Sequence, residues 1–317
     1  MLSGHRLLVV SGSEHNDFVH RTEIFDLRDP NYGCDLPFSH HAISGSVGGL
    51  TKNGLLFCGG WDYATNSQTH ECYTLTEDRG FVRSTTTLAL ERDYAKGLVI
   101  NGSLWVTGGA TDPTWNPTST TELLDYGSES FSVDLPQGTY SHCIAKINAT
   151  HGIITGGTSN KEQNRYDTTH FINFATMEIS DGPKLNVARA FHGCSVFENQ
   201  GKLIAMIGGG SDASGLLDST EFLDLEAGQN LAWTQGPSLP KRISGFPLVT
   251  TTEGTEVIAV GGTRGRSYEK DILKMSCPEE LDSCAWSLME HKLEVARAAH
   301  TAILIPDTLN VCQEPTE

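Results

Sequence analysis

The sequence has no long apolar run and few basic residues. No stretch approaches the ~20 consecutive apolar residues that a membrane-spanning helix needs, so we expect no membrane span. Only 22 lysines and arginines stand against 39 aspartates and glutamates, which gives a net charge of −17. An acidic chain without a basic run repels phosphate backbones, and nucleic acid is therefore not an expected partner.

Short catalytic and metal-binding motifs are also missing. None of the eight cysteines has C-x-x-C spacing, which excludes zinc ribbons and thioredoxin-type redox motifs. The sequence contains no G-x-S-x-G, no H-E-x-x-H and no P-loop. The segment GGGSDA at 208–213 does match G-x-G-x-x-A, but no helical pattern follows it to offer a helix N-terminus to a phosphate. We therefore expect no cofactor and no metal.

The eight cysteines and two glycosylation sequons favour an oxidising compartment. Cys277 and Cys284 flank a Pro- and acid-rich turn between two strand-like runs, where a hairpin would bring them within bridging range; the alternative is two free thiols. Asn101 and Asn148 are candidate glycosylation sites, although both also suit hairpin turns. No signal peptide is recognisable, so a secreted form would have lost its leader. We expect an extracellular protein, with the cytoplasm as the alternative.

What the sequence does contain is an internal repeat of roughly 50 residues. Apolar runs end in glycine pairs, and each pair is followed by a polar loop and a second run such as TEIFDL or TELLDY. A third type of run, such as ARAFHGCSVF, leads each unit, and a fourth often carries an aromatic residue. The pairs are Gly59-Gly60, Gly108-Gly109, Gly156-Gly157, Gly208-Gly209 and Gly261-Gly262, with Ser11-Gly12 as a degenerate first copy. Four short strands per unit without helical periodicity indicate a β-propeller.

These units resemble the kelch repeat family, and the resemblance covers essentially the whole chain. It implies an all-β fold, namely one six-bladed kelch-type propeller domain over 1–317 with four-stranded blades. The repeats would span roughly 1–38, 39–91, 92–138, 139–188, 189–241 and 242–296. The chain starts with the second type of strand and ends with the first, so a closing strand at 297–305 should complete the first blade.

Four arginines lie just before the first strands of their repeats: Arg92, Arg189, Arg242 and Arg297. By the kelch resemblance, this turn lies around the mouth of a central channel, on the same face as the loops after the glycine pairs, and Tyr140 lies near the same place. Guanidinium groups at such a mouth would suit acidic partners. The alternative is that these arginines belong to the repeat itself and brace neighbouring blades.

The loops after the glycine pairs carry large aromatic residues: Trp61, Tyr63, Trp115, Tyr166 and Tyr268. Aromatic rings in loops rich in Gly, Asn, Ser and Thr are typical of binding faces, because a rigid ring contributes contact area at low entropic cost. The alternative is that these rings fold back onto the blades.

Two further sets of polar residues recur with the repeat. Acidic residues stand at Glu23, Glu71, Glu122, Glu221 and Asp271, and histidines stand at His142, His192 and His300. Carboxylates could suggest acid–base chemistry, but one per repeat favours hydrogen bonds to turns of the same blade. The histidines could converge on the hub and bind a metal, although channel-lining histidines are the favoured interpretation.

The sequence thus favours a monomeric, non-catalytic binding module that recognises a protein or glycan ligand through the loop face. Neither the copper-site residues of kelch-type oxidases nor the E-x-x-x-D-x-x-x-H iron signature of plant specifier proteins can be matched. The alternative is a small-molecule enzyme, oxidase- or epimerase-like, that uses the same channel mouth.

Overall fold

A computed structural model describes residues 4–14, 17–29, 32, 36, 43–76, 80–111, 114–124, 133–159, 164–309 and 311–312. In this part of the chain, regular structure is almost entirely β, and the helical segments are single 3-10 turns at Gly228–Asn230 and Leu281–Ser283. None of these segments is long or apolar enough to span a membrane. The expected all-β fold is confirmed.

Short strands with tight turns account for this architecture. Asn101-Gly102 and Gln200-Gly201 both adopt left-handed φ at two successive residues, as a two-residue hairpin between twisted strands requires. In chain order the strands are β1 (Arg6–Val10), β2 (Ser13–Glu14), β3 (Asp17–Phe18), β4 (Glu23–Asp26), β5 (Ile43–Ser44), β6 (Val47–Thr51), β7 (Gly54–Cys58), β8 (Trp61–Asp62), β9 (Ser67–Gln68), β10 (Glu71–Thr76), β11 (Gly80–Thr87), β12 (Lys96–Ile100), β13 (Ser103–Thr107), β14 (Ala110–Thr111), β15 (Asn116–Pro117), β16 (Thr121–Leu124), β17 (Cys143–Lys146), β18 (His151–Thr155), β19 (Thr169–Asn173), β20 (Glu178–Asp181), β21 (Gly193–Asn199), β22 (Lys202–Gly208), β23 (Thr220–Asp224), β24 (Thr234–Gln235), β25 (Leu248–Thr250), β26 (Val257–Val260), β27 (Asp271–Ser276), β28 (Ala285–Lys292) and β29 (Thr301–Ile305).

The strands pair in small antiparallel sheets that follow the sequence repeat. The principal sheets have the strand orders β29-β1-β4, β6-β7-β10-β11, β12-β13-β16, β17-β18-β19-β20, β21-β22-β23-β24 and β25-β26-β27-β28. The minor sheets β2-β3, β5-β8-β9 and β14-β15 belong to the loops. Each principal sheet thus contains consecutive strands of one repeat, except the first.

The first sheet joins the two ends of the chain. β1 pairs with β29 in the register Arg6↔Ile305 through Val10↔Thr301, and β4 flanks β1 on its other side. Because β1 lies between two strands, Leu7, Leu8 and Val9 are fully buried. The pairing expected for residues 297–305 is therefore present.

The leading strands of the sheets lie next to one another around a common centre. β29 contacts β6, β6 contacts β12, β12 contacts β17, β17 contacts β21, β21 contacts β25, and β25 contacts β29. Between neighbouring sheets lie apolar layers; one of them contains Phe197, Met206, Phe222, Phe246 and Met275. The result is a propeller-like arrangement, in which each sheet buries its faces against the next.

The glycine pairs allow the chain to leave each second strand close to the next sheet. Gly156 and Gly157 have φ of 57° and 102°. A Cβ at Gly156 would lie 2.4 Å from the carbonyl oxygen of Arg189, which belongs to the following sheet. In the fifth copy these conformations belong to Gly209 and Gly210, with φ of 60° and 87°, whereas Gly208 ends β22. The sequence pairing of Gly208 with Gly209 was therefore one residue out of register.

Disulfides join three pairs of the described cysteines. Cys58 bonds to Cys72 across β7 and β10, and Cys277 bonds to Cys284, as the turn between them predicted. Cys143 bonds to Cys194 and so connects the leading strands of two neighbouring sheets. Such bridges persist in oxidising compartments, and they favour an extracellular or similarly oxidising location.

Among the three disulfides between described cysteines, the one with the longest loop and the one with the shortest should differ in their contribution to stability. Cys143→Ala with Cys194→Ala opens a loop with a sequence separation of 51, against 7 for Cys277→Ala with Cys284→Ala. Chain entropy predicts a loss of free energy of unfolding that is roughly 2 kcal/mol larger for the first double variant. Urea denaturation under non-reducing conditions measures the difference, and equal losses would contradict this account.

Candidate functional site

The turn before each leading strand and the loop after each glycine pair lie on one face of the protein. Tyr140 pairs with Thr158, and Ala190 pairs with Ser211. β5 pairs with β8 in the same manner. We call this surface the loop face; its turns are 43–46, 92–95, 139–142, 189–192, 243–246 and 297–300.

Three of the four predicted arginines do not reach the surface. Arg92, Arg189 and Arg297 are all 0% exposed. The guanidinium of Arg189 donates to the carbonyl oxygens of Gly209 and Ser219 at 2.9 Å each, and to Glu221 Oε1 at 2.7 Å. These acceptors belong to one sheet and its loops, so the guanidinium makes these hydrogen bonds inside the protein and is not available to an external ligand. The expectation of exposed guanidinium groups at the mouth is corrected for these residues.

The same arrangement recurs at the other two buried arginines. Arg92 pairs with Glu122, and Arg297 pairs with Glu23. Each of these glutamates also accepts backbone N–H groups; Glu122, for example, accepts that of Ala89 at 2.6 Å. Glu23, Glu122 and Glu221 thus bond the backbone just before the arginine turn of their own sheet, and the arginine complements them. The expectation does not hold for the other two carboxylates: Glu71 accepts from Tyr73 and Arg83, and Asp271 accepts from Lys241.

Arg242 does not occupy the equivalent position. In the other repeats the second glycine of the pair donates its N–H to the carbonyl of the arginine position, as Gly157 does to Arg189 at 2.9 Å. In the fifth repeat the acceptor is Ile243, and Arg242 lies one residue earlier with a side chain that is 71% exposed. Its only ion pair among described residues is the 3.8 Å contact with Asp218. The assignment of Arg242 to the arginine series is therefore corrected by one residue.

The loop face instead carries an aromatic cluster of Trp61, Tyr94, Trp115, Tyr140 and Phe191. Trp61 and Trp115 are stacked with ring centroids 5.9 Å apart. Trp115 also contacts Tyr94 at 5.7 Å and Tyr140 at 5.9 Å, and Tyr94 contacts Phe191 edge-on at 5.4 Å. Both tryptophans are half-buried. Rings from three different turns and two different loops thus form one continuous apolar surface.

The remaining predicted aromatic residues are placed around this cluster. Tyr63 shares a 3.2 Å hydrogen bond with Ser44, and Tyr166 donates to the carbonyl of Gly138 at 3.4 Å. Tyr268 forms a bridge with Thr263 in its own loop. The structure therefore brings Trp61, Trp115 and Tyr140 into contact, whereas Tyr63 and Tyr166 bond to segments that precede leading strands and Tyr268 bonds within its own loop.

A chain of backbone hydrogen bonds runs around the centre of the loop face. In each of the six turns, the residue two places after the arginine, or after the residue that stands in its place, has a left-handed φ between 51° and 68°. Each N–H donates to the carbonyl of the preceding member at 2.8–3.0 Å, except that of Tyr94, which donates to Asp93 Oδ1 at 2.7 Å. We call this set the hub ring: Gly45, Tyr94, Ser141, Phe191, Gly245 and Ala299.

A two-compartment cavity lies beneath the hub ring. Its compartments offer about 50 Å³ and about 140 Å³ to the centre of a water molecule, and both are lined by Ser46, Lys96, His192 and His300. The hub ring lines the upper compartment. The disulfide of Cys143 and Cys194 lines the lower one.

The recurring histidines are buried, and two of them, His192 and His300, line this cavity. Burial lowers the pKa of His142 to about 3, and it holds the pKa of His192 and His300 well below the usual range. His142 and His192 share hydrogen bonds with the hydroxyl groups of Thr107 and Thr155, at 2.7 Å and 2.9 Å. Among the described residues no cluster of histidine, cysteine or carboxylate groups could hold a metal ion.

Asp93, in the turn 92–95, and Lys96, the first residue of β12, are two ionisable residues whose pKa values are shifted by burial. Burial raises the pKa of Asp93 from 3.8 to about 8, although the N–H of Tyr94 and the charge of Lys96 oppose this shift. Burial likewise lowers the pKa of Lys96. Lys96 makes no hydrogen bond or ion pair through its ammonium group with any described residue. Asp93 and Lys96 therefore bring one acidic and one basic group to the hub without an ion pair between them, and each charge opposes the shift that burial causes in the pKa of the other.

Sequence reasoning missed five residues of this region: Asp93, Tyr94, Lys96, Arg165 and Phe191. Arg165, in the loop after Gly157, lies with its guanidinium carbon 5.7 Å from the Phe191 ring centroid and bonds Thr158. The signal that could have found Tyr94 and Phe191 is their fixed spacing, two residues after Arg92 and Arg189. Lys96 has no charged counterpart in the other repeats, so the repeat pattern does not point to it.

The two candidate glycosylation residues lie in exposed turns. Asn101 has φ of 49° at the β12–β13 turn, and its side chain is exposed. Asn148 Oδ1 accepts the N–H groups of Thr150 and His151 at 2.9 Å each, which shapes the β17–β18 turn. Their glycosylation stays a prediction.

Comparison with solved structures gives the same architecture. The chain is similar to the protein in a structure titled "Structure of YjhT", with a TM-score of 0.71 over 90% of this chain and 98% of that chain, at 10% sequence identity. This protein has a β-propeller-like fold. No family model and no curated protein matches the chain, and at 10% identity the structural likeness concerns the fold alone.

Removing a buried arginine should destabilise the protein, whereas removing the exposed one should not. Arg189→Ala leaves the carboxylate of Glu221, which is 3% exposed, without its cationic partner. We expect a loss of about 3–5 kcal/mol in the free energy of unfolding. Arg242→Ala, the matched control, should change it by less than about 0.5 kcal/mol. Urea denaturation measures both, and an Arg189→Ala variant as stable as the parent protein would refute the bracing role.

Asp93 should make stability depend on pH in a direction opposite to that of an ordinary aspartate. Its folded pKa of about 8 exceeds the unfolded 3.8, so ionisation opposes folding as pH rises between these values. Relative to Asp93→Asn, the parent protein should lose up to about 1.4 kcal/mol per pH unit between pH 5 and pH 8. Thermal melts of both proteins across this range provide the test, because contributions of the buried histidines cancel in the comparison. A pH-independent difference would contradict the assignment.

Proposed function

We propose that this protein is a non-catalytic binding module that recognises a glycan through the aromatic cluster on its loop face. The observation that carries the proposal is the contact network of Trp61, Tyr94, Trp115, Tyr140 and Phe191 on the loop face. Two of these rings, Tyr94 and Phe191, also line the upper compartment of the cavity. Planar rings of this kind offer apolar area for the C–H face of a sugar, with hydroxyl groups at the rim for its polar edge.

The polar groups around the cluster support a glycan more than a flat protein surface. Burial raises the pKa of Tyr94 and Tyr140, so both phenols are neutral hydrogen-bonding groups at physiological pH. Arg165, whose guanidinium lies 5.7 Å from the Phe191 ring centroid, adds further donors at the edge of the cluster. A concave site that combines stacked rings with neutral donors is suited to a small, polyhydroxylated ring. A protein ligand is the other outcome that a binding screen would identify.

The finer architecture that we propose is a single six-bladed, kelch-type propeller. Six leading strands contact one another in a closed order, and the hub ring has six members with the same backbone conformation. Disulfides and exposed sequons at Asn101 and Asn148 support a secreted, glycosylated form of this domain. We propose that it is a monomer.

A small-molecule enzyme using the same mouth is the second candidate. The observation that favours it is Lys96, because an amine whose pKa is lowered in a cavity is a candidate nucleophile or general base. Turnover of an oxidase- or epimerase-type substrate that is lost in Lys96→Met would establish this candidate and overturn the non-catalytic proposal.

Glycan-array binding by the parent protein and its variants tests the proposal. Trp115→Ala should weaken binding of any captured glycan at least tenfold, or about 1.4 kcal/mol, because the ring contacts Trp61, Tyr94 and Tyr140. Leu288→Ala, which removes a side chain that is 56% exposed on β28, is the control and should bind as the parent does. Equal binding by Trp115→Ala and the parent, with a melt showing both folded, would refute the role of the cluster.

A further inference from the structure

Lys96 differs from every residue at the equivalent place in the cavity. It follows the hub-ring residue Tyr94 by two, and the corresponding positions of the other turns carry Val47, Cys143, Gly193, Pro247 and Thr301. Those five residues are uncharged, and all of them line the cavity. The fold therefore does not require a charge at this place. Burial of a charged lysine at this place is unfavourable, because the ammonium group loses its hydration.

No described residue supplies a counterion for Lys96. No described carboxylate lies within ion-pair distance of its ammonium group; Asp93 acts on it only through space, and burial raises the pKa of Asp93 to about 8, which disfavours its charged form. The charge of Lys96 is felt at His142, His192 and His300, where it adds to burial in lowering their pKa. The surroundings of the ammonium group are thus neutral hydrogen-bonding groups that favour an incoming anion over a second cation.

Three residues that line the cavity, Ser141, His192 and His300, carry buried polar atoms without a hydrogen-bond partner among the described residues. Ser141 Oγ and His192 Nδ1 are buried, with residue exposures of 1% and 2%, and neither has a hydrogen-bond partner among the described residues. Ser141 lines the upper compartment, and His192 lines both compartments together with Lys96. Buried polar groups without partners cost free energy, so their presence points to a polar occupant.

We propose that the hub cavity binds a small monocarboxylate, whose carboxylate pairs with Lys96 and takes hydrogen bonds from Ser141 and His192. One ammonium group among neutral histidines balances a single negative charge, which fits a carboxylate and leaves a phosphate dianion undercompensated. Phe246 and Pro247 line both compartments and would contact the apolar part of such a ligand. This inference rests on the proposed function, because it names the charged group that the same binding face would receive.

Saturation-transfer NMR with propionate and its neutral isostere propionamide tests the site in the intact protein. Propionate should give a signal that acetate competes away, and propionamide should give none. Lys96→Met should abolish the propionate signal, a loss of at least tenfold in affinity, whereas Lys96→Arg should retain it. Lys146→Met is the matched control, because Lys146 is an exposed lysine on the neighbouring leading strand β17. Propionate binding to Lys96→Met, or equal binding of propionamide, would overturn the proposal.

A second measurement needs no variant. Acetylation of lysines by a water-soluble activated ester, quantified by mass spectrometry, should be slowed at Lys96 by saturating propionate and left unchanged at Lys146. Unaltered acetylation of Lys96 under conditions in which Lys146 reacts normally would contradict the site. If Trp115-dependent glycan binding is found but propionate does not bind, only the carboxylate inference fails. If propionate binds at Lys96 and no glycan binds at Trp115, only the proposed function fails.

Discussion

The hub ring is the constraint on which the rest of the structure depends. Each repeat must bring its chain to a common centre and turn it into a leading strand, and only a left-handed residue at that point lets the turn close. Ser141, for example, has φ of 53° and accepts the N–H of Phe191 at 2.8 Å while donating its own to Tyr94 at 3.0 Å. A bond between backbones of consecutive repeats fixes their spacing without involving any side chain. Side chains at the hub are therefore free to vary.

The buried arginines fix the orientation of each turn relative to its own sheet. Arg297 donates to the carbonyl of Ser11 at 3.0 Å, and its partner Glu23 accepts the N–H of Val295 at 3.2 Å. Because Glu23 is near the start of the chain and Arg297 near the end, this pair connects the two termini independently of the β1–β29 ladder. A charge pair of this kind is retained only where nearly all of its donors and acceptors are satisfied. These buried pairs thus hold the turns of the loop face in a fixed position on their sheets.

The sequence predicted the parts of the fold that repeat. Apolar runs ending in glycine gave the second strands, and the final run ARAAHTAILI gave the pairing of β29 with β1, because a strand type was missing from the start of the chain. The direction of the arginine side chains could not be read from the same pattern. Arg189 meets Glu221 only because folding joins residues 32 positions apart, although both recur in step. The assignment of Arg242 to this position is wrong for a simpler reason. The position is occupied by Ile243, and an arginine one residue earlier hides this change of register in the sequence.

The candidate site is formed by residues that differ between the repeats. The repeat pattern therefore predicts which face carries the site, but it does not predict the side chains that form it. Three consecutive members of the hub ring, Tyr94, Ser141 and Phe191, carry side chains that contact the aromatic cluster or the cavity. The other three, Gly245, Ala299 and Gly45, carry almost none. Six equivalent backbones therefore produce an asymmetric centre, with large or polar side chains at three consecutive positions and small residues at the other three. In the proposed binding mode a ligand would meet the aromatic rings on one side and Lys96 below, so its selection would depend on these few side chains more than on the repeated fold.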